Sequence, residues 1–204
     1  MIKTKEDLAY YKRQDAIING FVNKNNFFRG VKQRLNKRFK FLKLLREAEY
    51  YKNNPYGINK LFFYFKYYRL KKLGLSLGFS IEPNCFGPGL SIPHYGTIIV
   101  NPNAKIGKNC RLHCCTNIGA SAGSNKAPKL GDNVYIGPGA IIFGNIYIGN
   151  NITIGANATV NKTYLEEYSV IAGTPAIVVK KNMPNWLSFN NVENQLDNYD
   201  YAAL

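Results

Sequence analysis

Residues 130–160 read LGDNVYIGPGAIIFGNIYIGNNITIGANATV, and this stretch decides the fold. An apolar residue returns at every sixth position, in a frame that extends back through the preceding segment. We call these the lead residues: Val100, Ile106, Leu112, Ile118, Leu130, Ile136, Ile142, Ile148, Ile154 and Val160. A second, often smaller, inward candidate comes four positions later: Ala104, Cys110, Thr116, Ala122, Val134, Ala140, Ile146, Ile152 and Ala158. A period of six fits neither a helix, with a period of about 3.6, nor a strand, with a period of about 2. It is typical of a parallel β-helix, so we predict a mainly β protein of short strands stacked coil upon coil.

The coils are expected to begin near Ile81, with Phe86, Ile92 and Ile98 in the second inward position. One segment interrupts the frame: residues 119–129 read GASAGSNKAPK, which is small, polar and flexible. We predict that this segment leaves the coil as a loop.

The far end of the β-helix needs a cover, because an open end exposes unpaired strand groups. The pattern fades after Val160 and returns over residues 169–181, which we predict to cap the end. Residues 182–204 are polar and mildly acidic, with Trp186 and Phe189 as candidate docking points. They are interpreted as a tail or a cap.

The front of the chain has the pattern of helices. One is predicted near Glu6–Ile18, and two more follow at apolar positions with helical spacing: Leu35, Phe39, Leu42 and Leu45, ending near Tyr51; then Ile58, Leu61, Phe62, Phe65 and Tyr68, ending at Gly74. The predicted organisation is a basic α-helical domain over residues 1–77, a β-helix over residues 78–181 and a tail or cap over residues 182–204.

The charge of the chain is concentrated in this helical front. Residues 1–81 carry 19 Lys and Arg against 5 Asp and Glu, a net charge of +14, out of +15 for the whole chain. A solvated basic face is the simplest interpretation. Contact with an anionic membrane or polymer is the second, and nucleic acid is the least favoured because no recognisable binding motif accompanies the charge.

Composition indicates a cytoplasmic protein. The start of the chain has no apolar signal region, and no run reaches the roughly 18 apolar residues of a membrane span. The four cysteines, Cys85, Cys110, Cys114 and Cys115, have no disulfide-framework spacing, so we interpret them as reduced thiols.

Residues 78–181 resemble the left-handed β-helix, or hexapeptide-repeat, acyltransferases. Within these, they are most similar to the serine acetyltransferase branch and its relatives that modify capsule and O-antigen. The motifs that carry the resemblance are the hexapeptides, GLSIPHYGTIIV from Gly89, NPNAKIG from Asn101, IGPGA from Ile136 and AGTPA from Ala172. The resemblance implies a left-handed coil and a homotrimer with active sites in the clefts between neighbouring β-helices. It also implies acetyl-CoA as donor and no metal.

Moving an acetyl group from a thioester to an alcohol needs a base for the hydroxyl proton, and imidazole suits that task near neutrality. The chain has two histidines. His94 matches the family's catalytic histidine and is predicted to occupy a lead position of the frame, where an apolar residue is expected. We expect His94 to be the general base, the alternative being a structural histidine at a strand corner. His113, about one coil further on, either orients the acceptor or has a structural role.

The family orients its base with a carboxylate one coil earlier, and Glu82 is the only nearby carboxylate here. We predict Glu82 as that partner, with a backbone carbonyl as the alternative. Cys114 and Cys115 would suit a covalent acyl-enzyme, but the family transfers directly, so both are interpreted as packing residues.

The resemblance assigns the donor site to backbone along the groove between coils. It implies pantetheine contacts at Gly119, Ala120, Gly137, Gly139 and Ala156. It also implies a CoA-binding turn at Gly173, Thr174 and Pro175, and phosphate contacts from Lys180 and Lys181, whose alternative is a solvated basic run.

The acceptor is predicted from the loop. Serine-specific members of the family carry an Arg-His pair there, which binds the carboxylate of the amino acid. This chain has NKAPK over residues 125–129, and Lys126 is the only charged residue of this stretch before Pro128. We therefore expect a sugar hydroxyl of capsule or O-antigen as acceptor, with Tyr95 and Lys126 as contacts. Serine acetylation is the alternative enzyme activity, and a non-catalytic trimeric binding module is the alternative of another class.

Overall fold

A computed structural model of the chain describes residues 1–21 and 36–188. Three helices come first: α1 (Lys5–Ile18), α2 (Lys37–Asn53) and α3 (Asn59–Leu77). The pattern predicts all three, although Leu35 lies outside the described residues. The first helix begins at a capping box, in which Thr4 Oγ1 accepts from the Asp7 amide and the Asp7 carboxylate accepts from the Thr4 amide. None of the described helices is long and apolar enough to cross a membrane.

The described residues then form thirteen short strands. They are β1 (Phe79–Ser80), β2 (Ile98–Val100), β3 (Lys105–Ile106), β4 (Arg111–Leu112), β5 (Thr116–Gly119), β6 (Lys129–Leu130), β7 (Tyr135–Ile136), β8 (Ile141–Phe143), β9 (Tyr147–Ile148), β10 (Thr153–Ile154), β11 (Thr159–Val160), β12 (Val170–Gly173) and β13 (Ala176–Lys180).

These strands form the three faces of a prism. Face A is β1-β2-β5-β8-β11, face B is β3-β6-β9, and face C is β4-β7-β10-β12-β13. Pairing is parallel apart from the antiparallel β12–β13 pair. Strands three repeats apart lie side by side, as when Ile142 pairs with Val160. The predicted mainly β fold, a parallel β-helix with an α-helical region before it, is confirmed.

The sixfold frame identifies the core. All ten predicted lead residues are buried, at 5% exposure or less. The second inward positions are buried as well, with one exception. The prediction is wrong for Ala122, which is exposed. Leu130 pairs with Ile106 across 24 residues instead of 18, so the segment between them leaves the coil as a loop and carries Ala122 with it.

The first coil differs from the prediction in register. Bridges pair Phe86 with Ile106 and Ser91 with Arg111, which sets Ile92 level with Leu112. Phe86 and Ile92 are therefore in the lead position, not the second. Ile98 is in the second position as predicted, since it pairs with Thr116. Eight residues, not six, separate Ile92 from the next lead residue, Val100, and this longer corner contains His94.

The helical region docks on the first coil through a buried ionic cluster. Arg46 of α2 is fully buried and pairs with Asp15 of α1 at 2.7 Å and with Glu49 at 3.0 Å. Its guanidinium also donates to the carbonyls of Phe86 and Gly87. Asp15 Oδ1 in turn accepts from the Gly89 and Leu90 amides. Side chains of the helices thereby satisfy strand groups that the end of a β-helix leaves unpaired.

The other end is covered by the returning segment. The last two strands pair antiparallel, with Gly173 opposite Ala176. The chain then crosses to α1, where Trp186 and Leu187 are buried against Ile17 and Ile18. Trp186 Nε1 donates to the Asn109 carbonyl at 3.1 Å. Residues 182–188 are thus packed on the prism, whereas Phe189 lies outside the described residues.

Candidate active site

The long corner of the first coil carries His94 out of the prism. The buried chain leaves the core at Ile92 and returns at Ile98, and between them His94 and Tyr95 are exposed. Gly96 closes the corner at φ +131°, a conformation that L side chains rarely adopt. The register predicted an inward position for His94, and this prediction is wrong. The side chain is exposed, so its imidazole is open to a ligand.

His113 lies beside His94 on the next coil. Their ring centroids are 5.8 Å apart, and the His113 ring is 5.0 Å from that of Tyr135 on the coil after that. The predicted juxtaposition of the two histidines is present. Thr116 Oγ1 donates to the His113 carbonyl at 2.7 Å and holds the backbone at this corner.

The charge state of His113 follows from its neighbours. Burial, the adjacent Arg111 and the adjacent His94 lower the pKa of His113 to about 4, so the ring is neutral at physiological pH. Arg111 Nε lies 3.4 Å from His113 Nε2 and donates to it. In this assignment the His113 proton is on Nδ1.

The helical region supplies a residue that sequence reasoning missed. Arg38 of α2 donates through Nη1 to the carbonyl of Ile92 at 3.0 Å and to that of Pro93. Its guanidinium carbon also lies 5.4 Å from the centroid of the Tyr95 ring. These contacts hold the corner on both sides of His94. More than fifty residues separate Arg38 from its partners, so no local pattern could have indicated it.

Arg111 was missed for a different reason. It occupies an outward position of β4, where a charged residue is unremarkable in sequence. Its guanidinium carbon lies 5.3 Å from the centroid of the Trp186 ring, and burial lowers the pKa of Arg111. Trp186, from the docked residues 182–188, contributes to this half-buried environment.

The predicted orienting carboxylate is engaged elsewhere. Glu82 accepts from Tyr67 Oη at 2.9 Å and forms an ion pair with Lys71. Both carboxylate oxygens are thereby bound to side chains of α3. Orientation of His94 by Glu82 stays a prediction. In the described residues, Arg38 hydrogen-bonds to the backbone of the His94 corner, where it donates to the carbonyls of Ile92 and Pro93.

The cysteines differ in environment. Burial raises the pKa of Cys85 to about 11 and raises that of Cys110 further, so neither is a thiolate near neutrality. Cys114 is half-buried and Cys115 is exposed, and both are free thiols. Packing is clear for Cys85 and Cys110, whereas the exposed Cys115 does not pack in the core.

The predicted donor residues lie on successive coils. Gly119 is at the end of β5 and pairs with Phe143, while Ala120 begins the loop. At Gly137 an added Cβ would meet the Ala156 amide nitrogen at 2.7 Å, so glycine is required for the coils to stack there. Gly139 is in the same corner, at φ +75°.

The predicted CoA turn joins the last two strands. Gly173, Thr174 and Pro175 are exposed, and Thr174 Oγ1 donates to the Asn157 carbonyl at 3.2 Å. Lys180 is exposed, and Lys181 pairs with Glu166 at 2.9 Å. Lys126 is exposed in the loop. No group of His, Cys, Asp and Glu side chains suited to a metal ion is found in the described part of the chain.

The sixfold repeat is similar to that of known hexapeptide transferases. Residues 127–162 match the family model of the bacterial transferase hexapeptide (six repeats). The chain is 32% identical over 108 residues to the serine acetyltransferase of Staphylococcus aureus strain Mu50, covering 52% of this chain and 50% of that protein. The chain therefore spans about half the length of the curated relatives that it matches.

Solved structures agree on the fold. The serine acetyltransferase of Brucella abortus in complex with coenzyme A superposes with a TM-score of 0.70 at 24% identity, covering 89% of this chain and 71% of that one. That of Neisseria gonorrhoeae in complex with serine gives a TM-score of 0.65 at 24% identity, covering 85% and 69%. The fold is the left-handed parallel β-helix.

The comparisons correct the predicted acceptor. The relatives reported above are serine acetyltransferases, which contradicts the prediction of a capsule or O-antigen sugar. The prediction rested on the loop, which lacks the Arg-His pair of the serine-specific members. Arg38 and Arg111 both lie near the histidines, and neither belongs to the loop.

Proposed function

We propose that this protein is a serine O-acetyltransferase, which moves the acetyl group of acetyl-CoA to the hydroxyl of serine. The observation that carries the proposal is the exposed His94 beside a neutral His113, in the fold and repeat of the serine acetyltransferases. The products are O-acetylserine and free CoA.

In the proposed mechanism His94 is the general base. Its imidazole takes the proton of the serine hydroxyl as the oxygen attacks the thioester carbonyl carbon. The tetrahedral intermediate then collapses, the carbon–sulfur bond breaks, and the thiolate of CoA leaves and is protonated from the imidazolium. Arg38 is well placed to support this step, because its hydrogen bonds to the carbonyls of Ile92 and Pro93 fix the backbone before His94.

A neutral His113 suits the same step. A second imidazolium at a ring separation of 5.8 Å would oppose protonation of His94, since like charges repel strongly where water is partly excluded. Because Arg111 donates to Nε2 of His113, the Nδ1 proton is free to donate to substrate. His113 is accordingly proposed to orient the acceptor.

The donor is proposed to lie along the coils that carry Gly119, Gly137 and Ala156, with its nucleotide near the exposed Lys180. The relative from Brucella abortus in complex with coenzyme A supports this choice of donor. Tyr95, beside His94, and Lys126, in the loop, are the proposed acceptor contacts that the sequence indicated.

A homotrimer is proposed from the outer surface of face A. Ile99 and Ile141 point outward at 43% and 45% exposure, with Asn117 paired between them. Two exposed isoleucines in one row, with an asparagine between them, suit contact with a second copy of the chain. Sedimentation velocity of the purified protein tests the trimer.

A cytoplasmic location is proposed from the relatives, and contact with an anionic membrane face or polymer from the helical region. Lys37, Lys40, Arg69 and Lys72 surround a cleft of about 540 Å³ that is lined by leucines. Cosedimentation with vesicles containing anionic lipid tests this contact, and absence of binding at low salt would exclude it.

The central experiment measures O-acetylserine formed from acetyl-CoA and serine, by mass, because Cys115 would also react with a thiol reagent. Wild type is expected to acetylate serine, and His94→Ala is expected to lower kcat about 100- to 10,000-fold, the usual contribution of a general base. His94→Gln tests the same loss with a polar side chain retained.

The matched control is Asn145→Ala, at an exposed corner on another coil, which should keep wild-type turnover. Wild type that binds CoA without acetylating serine would refute the proposed activity and favour a binding module. Full turnover by a folded His94→Ala would exclude the role of His94 alone.

A further inference from the structure

We infer that Arg111 binds the carboxylate of the acceptor amino acid and so selects amino acids over simple alcohols. The inference rests on the proposed function, because it names the residue that recognises the acceptor at the same site. It is carried by the position of the guanidinium beside His113, its incomplete hydrogen bonding and the charges around it.

Within residues 1–21 and 36–188, the contacts of Arg111 leave its terminal nitrogens free. Nε donates to His113 Nε2 at 3.4 Å, and the guanidinium carbon lies 5.3 Å from the Trp186 ring centroid. Among the residues that the structure describes, neither terminal nitrogen of Arg111 has a hydrogen-bond partner. Two parallel N–H groups on a planar fork match the two oxygens of a carboxylate.

The surroundings of Arg111 favour an anion. The side chain is half-buried, and no ion pair joins it to a carboxylate of the described residues. The charged groups that act on its neighbour His113 are Arg111 itself and His94. A half-buried cation without a counter-ion is unfavourable, so an anionic group of a ligand would offset the lost hydration.

The geometry fits one small molecule. Arg111 Nε lies 3.4 Å from His113 Nε2, and the His113 ring centroid lies 5.8 Å from that of His94, so Arg111 and His94 are neighbours of the same imidazole. In serine the hydroxyl and the carboxylate are on neighbouring carbons. A serine whose hydroxyl is at His94 can therefore place its carboxylate at Arg111 while it contacts His113.

Two other candidate cations are less suited. Arg38 uses Nη1 on the carbonyls of Ile92 and Pro93, and its Nε is buried without a partner, away from solvent. Lys126 is on the exposed loop and offers a point charge without the planar fork. An anionic phosphate of CoA is the other source of a matching ligand, and the experiment separates it from the carboxylate.

The experiment compares two acceptors, serine and serine methyl ester, which keeps the hydroxyl and the amine but lacks the anionic carboxylate. In wild type kcat/KM should favour serine. Arg111→Gln is expected to lower kcat/KM for serine about 10- to 100-fold, mainly through KM, and to lower kcat/KM for the ester much less, because the ester loses only the contribution of Arg111 to His113. Arg111→Lys should recover part of the loss, and Lys162→Gln, which removes an exposed cation just after β11, should keep the wild-type ratio.

Each result decides the inference. An equal loss with both acceptors would mean that Arg111 acts only on the histidines or the fold, and would overturn it. Weaker CoA binding with an unchanged serine-to-ester ratio would assign Arg111 to a phosphate instead. Circular dichroism checks that Arg111→Gln is folded, and Arg111→Lys carries the test if it is not.

A binding measurement keeps the inference testable without turnover. Trp186 is the single tryptophan, and its ring lies over the Arg111 guanidinium, so its fluorescence can be titrated with serine and with the ester. Binding of serine that Arg111→Gln abolishes would support the inference even if no acetylation occurs, which would refute only the proposed function. No difference between serine and the ester in wild type would overturn it.

Discussion

The ionic cluster that docks the helices on the β-helix predicts a large effect of one substitution. In Arg46→Met the apolar volume is roughly kept, but Asp15 and Glu49 lose their counter-ion while both stay buried. The carbonyls of Phe86 and Gly87 lose a donor as well.

The magnitude follows from which contacts remain. Asp15 keeps the amides of Gly89 and Leu90, and Glu49 keeps the amide of Asn84. Removing one partner of a buried ion pair costs about 3 to 5 kcal/mol, because the other charge stays buried without compensation. We expect Arg46→Met to lower the free energy of unfolding by that amount.

The control joins the same two helices through a more exposed pair. Lys12 lies 2.7 Å from Glu47, which Lys66 also contacts, so Lys12→Met should cost about 1 kcal/mol or less. Urea unfolding at one protein concentration, followed by circular dichroism and Trp186 fluorescence, measures both variants.

A third variant identifies the source of the cost. Asp15→Asn, Arg46→Met and Glu49→Gln together remove every charge of the cluster, so the combined variant should be more stable than Arg46→Met alone. A cost of Arg46→Met no larger than that of Lys12→Met would refute the reasoning. A combined variant as unstable as the single one would place the cost in the lost bonds to the first coil.

Two further predictions concern the histidine pair and the core. The pKa of His113 is lowered from 6.5 to about 4, so between these values the unfolded chain binds more protons and stability falls as pH falls. Because the ring is half-exposed and solvent screens its charge, this slope should stay below the one-proton limit of about 1.4 kcal/mol per pH unit. His113→Asn should flatten the slope of urea-unfolding free energy from pH 7 to pH 5, and equal slopes would contradict the lowered pKa. Ile142 is fully buried, so Ile142→Ala should cost about 2 to 5 kcal/mol, whereas the exposed Ile177→Ala should cost about 0.5 kcal/mol or less. Similar unfolding midpoints for the two would contradict the assignment of the sixfold frame to the core.

The histidines show how much of the site could be predicted from the sequence. The resemblance of the His94 segment identified the candidate base, and the spacing of His113 indicated a neighbouring rung. The register assigned to His94 was nevertheless wrong, because the corner between Ile92 and Val100 has two extra residues. A slip of two residues keeps the inward and outward alternation of a strand, so the apolar pattern could not reveal it.

The acceptor was the property that the sequence predicted least well. A missing loop motif led to the sugar prediction, which the relatives contradict, whereas the cations near the histidines come from α2 and β4. The division of the chain at residues 77 and 181 stays a prediction, as do the roles of Glu82 and of the donor residues.

The sequence by itself determined the coiled prism, its core and the helices before it, because burial of one side of a short repeat is a local property that the spacing of apolar residues records. Only the tertiary structure decided how the site is completed. Arg38 of α2 contacts the His94 corner, and Trp186 covers Arg111 beside His113, because distant segments dock on the β-helix. Such contacts depend on how separate surfaces fit, and no spacing along the chain encodes that fit.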